Sequence, residues 1–363
     1  MRSLVVYNEN NDLNQLEILE NGEFKIQGEI IKCALIRDKL PDFNLDNFPN
    51  HVLVQKKAFS CNYRDIAIML MNKNEATHMG TTIPFGSEFS GVVIDKGKSV
   101  KNLQLEDRVI PNGNYPNNPQ EPSIIGLPTN KASLEFELFH KSQLIKMPEN
   151  MSLEEGAGFT IGAQTAFSMK KKLNIKRKQK GLILGFPSNT ALFAYNILKS
   201  RELDLYIGSR RPVDYKYDIP YEKSLIISDD VKRLSQIDKI YEEIKIYGKF
   251  DFIIDPFADN NLFRIIDLMG MNSKYVTCGI ANQFSTQQHS IDATDFFSKI
   301  IMKNLTIIGN CLGSTADLQK ALREFEMGNF EVPIGAIVNN LNEFMSLTFT
   351  KKIVPGKIIF KYL

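Results

Sequence analysis

The sequence predicts an α/β protein built from an irregular antiparallel β-barrel and a doubly wound parallel sheet. Three observations predict it. The first part of the chain carries short runs in which apolar and polar side chains alternate. From Ser152 onward the pattern changes to short, fully apolar strands separated by amphipathic helices, which is how a parallel sheet covered on both faces reads. Near Gly309 the chain leaves that alternation and closes with a helix and a last strand.

The elements follow in order. HVLVQKKAFS alternates around Val52 and Val54, EFSGVVIDKG carries Val92 to Ile94 before a glycine turn, and EDRVIP is a short strand closed by Pro111. Residues 112–130 are rich in Pro, Asn and Gly and read as a loop. ASLEFELFHKSQL returns to strand-like alternation. SLEEGAGFTIGAQTAFSMKKK reads as one helix, with Ser152 as N-cap and Glu155 as its capping-box partner. GLILGF, LDLYIGS, DFIIDPF and SKYVTCGI read as strands of the parallel sheet. NTALFAYNILKSR is the helix after the first of them, and LFRIIDLMG is a helix stopped at Gly270. LTIIGNCLGS is one more strand, ADLQKALREFEMGNF a helix, and PGKIIFKYL the final strand.

Composition narrows the function classes. The 363 residues suffice for two domains and a large core. Basic and acidic residues nearly cancel, 44 against 42, so nothing argues for a nucleic-acid or membrane-surface partner. The basic cluster from Lys170 to Lys180 reads as solvated surface. Cysteines stand only at 33, 61, 278 and 311, without a C-x-x-C or a disulfide framework. The first residues, MRSLVVYNEN, have no signal-peptide character, and no apolar stretch is long enough to span a membrane. A reducing, cytoplasmic setting is the expectation.

The strand–turn–helix GLILGFPSNTALFAYNILKS followed by the strand LDLYIGSRR is the most informative segment. In a dinucleotide-binding sheet the tip of the second strand meets the adenosine ribose, where an acidic residue accepts from a free 2′-hydroxyl. Here Ser209, Arg210 and Arg211 offer a hydroxyl and two positive charges, which suits a 2′-phosphate and hence NADPH. By itself the pair also reads as a solvated strand end; the upstream turn favours the cofactor. That turn, Gly185-Phe186-Pro187-Ser188-Asn189-Thr190-Ala191, departs from G-x-G-x-x-G by keeping one glycine. Ser188, Asn189 and Thr190 suit pyrophosphate at a helix N-terminus and equally suit an ordinary cap.

FSCNYRDIAIM, PFGSEFSGVVIDKGKSV, EDRVIP, MSLEEGAGFTIGAQTAF and the closing GKIIF occur in an order and spacing that resembles the medium-chain dehydrogenase/reductases, on the zinc-free side typified by quinone oxidoreductases and enoyl reductases. The resemblance implies a GroES-like catalytic domain, residues 1–160 and 310–363, and a Rossmann NADP(H)-binding domain, residues 161–309. It implies a homodimer paired through LTIIGNCLG, and it puts Thr165 and Gly279 near the cofactor. In zinc-dependent relatives three positions ligate the metal; here they hold Asn62, Ser87 of Gly86-Ser87-Glu88, and Ile161. The four-cysteine structural zinc lobe is absent as well, and Cys61 with His78 supplies too few ligands, so no metal is expected.

Without zinc, reduction of a conjugated C=C is easier to support than alcohol oxidation. In the resembled family the segment matching Asn62-Tyr63-Arg64-Asp65 lines the nicotinamide. That makes Tyr63 the candidate donor to substrate and Asn62 the candidate orienting amide, with Arg64 and Asp65 fixing the turn. Tyr63 equally reads as a half-buried aromatic capping a backbone group. The expected substrate is a small molecule or peptide with an activated double bond: an enone, quinone or enoyl thioester. Two alternatives stand beside it, a reductase of dehydroalanine in a lantibiotic-type peptide and a non-catalytic NADPH-binding protein.

Overall fold

The computed structural model describes residues 1–8, 16–79, 82–116, 126–199, 201–213, 217, 219–228, 230–281, 293–350 and 354–362, with the side chains of 75–79 set aside. The chain divides into two compact units. One comprises Met1–Ile161, Ser314–Met327 and Val332–Leu363; the other comprises Gly162–Gly313 with Gly328–Glu331.

The first unit opens with strands that the sequence reading passed over. β1 (Arg2–Tyr7), β2 (Glu17–Ile26) and β3 (Glu29–Arg37) form an antiparallel sheet in the order β2-β3-β1. β4 (His51–Ser60) is the hub of the larger sheet. α1 (Asp65–Met79) follows it, and β5 (Ile83–Pro84) then joins the edge of the first sheet. β6 (Glu88–Lys96), β7 (Arg108–Pro111), β8 (Phe136–His140) and β9 (Leu144–Lys146) complete the antiparallel set. β4 pairs with β6 along one edge and with β8 over the first half of the other. Much of the segment expected as a loop, residues 117–125, lies outside the described residues.

The expected long helix is two helices. α2 (Leu153–Ala157) has the Ser152–Glu155 capping box, and α3 runs from Thr160 to Leu173. The break falls at Gly158, whose amide caps Glu155. A Cβ there would lie 3.1 Å from the Lys357 side chain, so the backbone comes close because there is nothing in between.

The second unit is the alternating one. Its strands are β10 (Lys180–Phe186), β11 (Asp204–Ser209), β12 (Ser224–Ile226), β13 (Phe250–Asp255), β14 (Met269–Thr277) and β15 (Thr306–Gly309), and its helices are α4 (Asn189–Leu198), α5 (Asp238–Tyr247), α6 (Ala258–Ile265) and α7 (Ala293–Lys303). All pairs are parallel, in the order β12-β11-β10-β13-β14-β15. Along β10, Ile183 packs into one buried cluster while Leu182 and Leu184 pack into the other, which is why this strand is apolar throughout. Gly270 does not stop a helix. α6 ends at Ile265, a short 3₁₀ turn follows, and Met269 already pairs with Phe250, placing Gly270 inside β14.

The return to the first unit is α8 (Thr315–Glu326), β16 (Ile334–Val338), α9 (Leu341–Met345) and β17 (Lys357–Lys361). β17 adds antiparallel to the second half of β4, and β16 adds to it in parallel. Phe59, Phe344 and Phe360 meet in the core there, with Phe59–Phe344 ring centroids 5.1 Å apart. Among the described residues no helix is long and apolar enough to cross a membrane.

Candidate cofactor and reaction sites

In the second unit the strands count off as third, second, first, fourth, fifth, sixth. This order reverses direction between β10 and β13, and ligands of such sheets bind outside the carboxyl ends at that point. Gly185 turns there with φ +69°. A Cβ on it would approach the Phe257 ring to 2.8 Å, so both the backbone angle and the space demand glycine. Ser188 closes the turn by donating its amide to the Gly185 carbonyl, 2.8 Å, and its hydroxyl accepts from Ala191 N as the N-cap of α4. The amides of Asn189 and Thr190, in the first turn, have no acceptor within the helix, and the dipole makes that end positive. This is a fit for pyrophosphate made by backbone. The hydroxyls have other work: Ser188 caps, and the Thr190 side chain bonds Cys278, whose thiol burial pushes up to about 12.

Ser209 ends β11 buried, and its hydroxyl donates to the Arg211 carbonyl. It therefore shapes the tip that presents Arg210 and Arg211, both exposed. The chain is anchored again at Val213 and Tyr217, which pack on the core, and the Tyr217 ring meets Phe186 of the phosphate turn edge-on at 5.1 Å. Arginine tip and phosphate turn are thus fastened to the same corner of the sheet. Gly279 follows β14 where a Cβ would meet the Pro256 carbonyl at 2.6 Å. The Asp255-Pro256 turn itself is held rigidly: Asp255, fully buried, accepts from Phe257 N (2.8 Å), Asn261 Nδ2 (3.0 Å) and the Tyr275 hydroxyl (2.5 Å). Burial raises the Asp255 carboxyl against those three donors. Thr165 is buried on α3.

In the first unit the Asn62–Asp65 turn is fixed from beneath. Asp65, fully buried, accepts from Asn62 N (2.7 Å) and the Ser87 hydroxyl (2.9 Å) and pairs with Arg64 at 3.3 Å. Burial raises its carboxyl, with Arg64 the strongest opposing influence. The ion pair expected to hold the turn is therefore present, and Tyr63 stands at its tip, 36% exposed. Asn62 is pinned at both ends of its amide: Oδ1 accepts from Lys357 Nζ at 2.5 Å, and Nδ2 donates to Glu88 Oε2 at 3.0 Å. Lys357 and Glu88 are fully buried and paired at 3.3 Å. Glu88 Oε2 also accepts from Ile161 N at the start of α3, while Oε1 has no partner among the described residues.

A family model of the alcohol dehydrogenase GroES-like domain matches residues 48–149. Among solved structures, an NAD-dependent alcohol dehydrogenase superposes with a TM-score of 0.73 over 100% of both chains, at 17% identity. The chain thus carries a GroES-like domain of the alcohol dehydrogenase kind, and its fold is that of the medium-chain dehydrogenase/reductases. A second structure of that fold, a 2-octenoyl-CoA carboxylase reductase solved with NADP and 2-octenoyl-CoA, aligns with a TM-score of 0.68 over 90% of this chain and 82% of its own, at 21% identity. A curated relative, a zinc-type alcohol dehydrogenase-like protein of Schizosaccharomyces pombe, is 26% identical over 60% of this chain and 58% of its own length. The matches span less than two thirds of the length of the curated relatives.

The chain has a different set of residues at the positions where zinc ligands stand in the zinc-dependent relatives it resembles. Asn62 is committed to an ion pair, the Ser87 hydroxyl to Asp65, and Ile161 offers only its amide. The Cys61 thiol is buried, and that burial raises it well above its ordinary value. Among the described residues no group of three or more His, Cys, Asp or Glu is placed to hold a metal ion; the side chain of His78 is outside them. These residues do not fit zinc. Glu88 and Lys357 were missed by the sequence reading as site residues. The one signal was Glu88 beside Ser87 in the triplet, because nothing local marks a strand lysine as buried.

Proposed function

We propose that this chain is a medium-chain dehydrogenase/reductase, an NADPH-dependent, zinc-independent reductase of an activated C=C. The observation that carries the reading is the Arg210–Arg211 tip, fastened through Val213 and Tyr217 to the corner that holds the phosphate turn. The fold alone does not choose the cofactor, since one similar structure is titled NAD-dependent and another was solved with NADP. Two guanidinium groups at the second-strand tip favour the extra phosphate. Asn189 and Thr190 would hold the pyrophosphate by their amides, and Gly279 and Thr165 would shape the remaining walls. When bound, NADPH supplies hydride for the electron-poor carbon of the double bond. The chain's own contribution is then a hydrogen bond to the oxyanion that develops and a proton for the neighbouring carbon. The Tyr63 hydroxyl is the donor we assign to this, and the second N–H of Asn62, left over after Glu88 takes the first, is the orienting contact.

The test is NADPH oxidation against quinones, enones, enoyl thioesters and dehydroalanine peptides, each with and without a chelator. The expected result is turnover of at least one class, unchanged by the chelator. Turnover of the peptides alone would select the peptide-maturation reading. Tight NADPH binding with silence across the panel would leave a binding protein.

The reading includes a homodimer. β15 is an edge of the sheet, and α7 exposes Phe297, Ile301 and Met302, the last two at 74%. Light scattering should give the mass of two chains. Phe297→Glu with Ile301→Glu should give one chain if this face is the contact; an unchanged mass would place the contact elsewhere.

A further inference from the structure

We propose that Lys357 is a positioning residue of the reductase site: its ammonium locks the Asn62 side-chain amide in one orientation. An asparagine amide is nearly symmetric in shape, and its two ends differ only in what they bond. Here the oxygen faces an ammonium at 2.5 Å and the nitrogen faces a carboxylate at 3.0 Å. Rotating the amide by half a turn would set NH₂ against NH₃⁺ and oxygen against carboxylate, in a place where Lys357 and Glu88 are both fully buried and unscreened. Only one orientation survives. It turns the oxygen of Asn62 toward the ammonium and leaves one N–H over for a substrate, so this position presents a donor, which is what an enolate or carbonyl oxygen needs. The lock is built by the fold. Gly158 breaks the α2–α3 run against the Lys357 stem, the Lys357 amide is tied to the Pro333 carbonyl at 2.7 Å, and Ile161 N donates to the same Glu88 oxygen that accepts from Asn62, at 3.3 Å.

The inference rests on the reading of Asn62 as a substrate contact, so the experiment separates the two. Lys357→Met with Glu88→Gln removes both charges together and leaves neither stranded. In this double variant kcat should fall about 10–100-fold, the scale of a misplaced catalytic contact, with the Kd for NADPH unchanged. Asn62→Ala should fall comparably, and adding it to the double variant should cost no more than about twofold further. Lys357→Arg, which keeps the cation, should recover most of the rate. Losses that multiply in the triple variant, or a parallel loss of NADPH binding, would make Lys357 merely structural and overturn the proposal. A second readout needs no turnover. The Asn62 side-chain amide resonances should lie well away from their ordinary positions and report a rigid C–NH₂ group in the unmodified protein, and should return toward ordinary positions with a mobile group in the double variant. Identical resonances in both would overturn the lock. An inert unmodified protein would remove the reductase reading, and the resonances would still decide whether the amide is fixed.

Discussion

Replacing Arg210 and Arg211 together by alanine is expected to raise the Kd for NADPH about 100-fold and to leave the Kd for NADH nearly unchanged. A charge-assisted hydrogen bond contributes about 1.5–3 kcal/mol net, and two of them to one phosphate would exceed a hundredfold if neither were screened. Both arginines are exposed, so solvent and salt take part of that. The preference for NADPH should therefore shrink as ionic strength rises, whereas NADH binding should hardly respond. Titration of cofactor fluorescence at low and moderate salt reads both effects. Equal affinities for the two cofactors in the unmodified protein would remove the basis of the assignment. So would a preference that survives the double substitution. Ser209→Ala is a useful contrast, because its hydroxyl is spent on the Arg211 carbonyl; it should loosen the tip and weaken NADPH binding less than loss of the charges.

Much of the fold was legible because the physics that sets it is local. A strand covered on both faces must be apolar at every position, and Leu182, Ile183 and Leu184 reveal that without any partner in view. The Ser152–Glu155 capping box spans three residues and was readable for the same reason. The misreadings came where a distant segment decided the outcome. Gly158 looks like a tolerated glycine in a helix, yet the helix breaks there against Lys357. Gly270 looks like a helix stop, yet pairing of Met269 with Phe250 draws it into a strand. The site divides in the same way. The Gly185–Ala191 turn and the Arg210–Arg211 tip, which we propose hold the cofactor, are each contiguous and visible. The Asn62–Glu88–Lys357 cluster joins residues 295 and 269 positions apart and has no signature in sequence.

That cluster should also dominate the first unit's stability. Lys357→Met alone is expected to destabilise it by about 3–5 kcal/mol, because it leaves the Glu88 carboxylate buried without its cation. Lys357→Met with Glu88→Gln should regain most of the loss, since a buried pair replaced as a pair is close to neutral. The pH dependence gives a sharper mark. Burial raises the Glu88 carboxyl above its ordinary 4.5, and Lys357 is the main influence pulling it back. Removing Lys357 must raise it further. A carboxyl that is higher in the folded than in the unfolded protein binds more protons when folded, so its favourable contribution is complete below about 4.5 and is lost as pH rises through the folded value. The deficit of Lys357→Met relative to the unmodified protein should therefore narrow toward acid and widen toward neutrality. Lys357→Met with Glu88→Gln should show no such trend. Urea unfolding followed across that range decides it. A single variant as stable as the unmodified protein at neutral pH, or a deficit that does not change with pH, would mean that Glu88 is already protonated or hydrated in the folded state and that no ion pair holds Asn62.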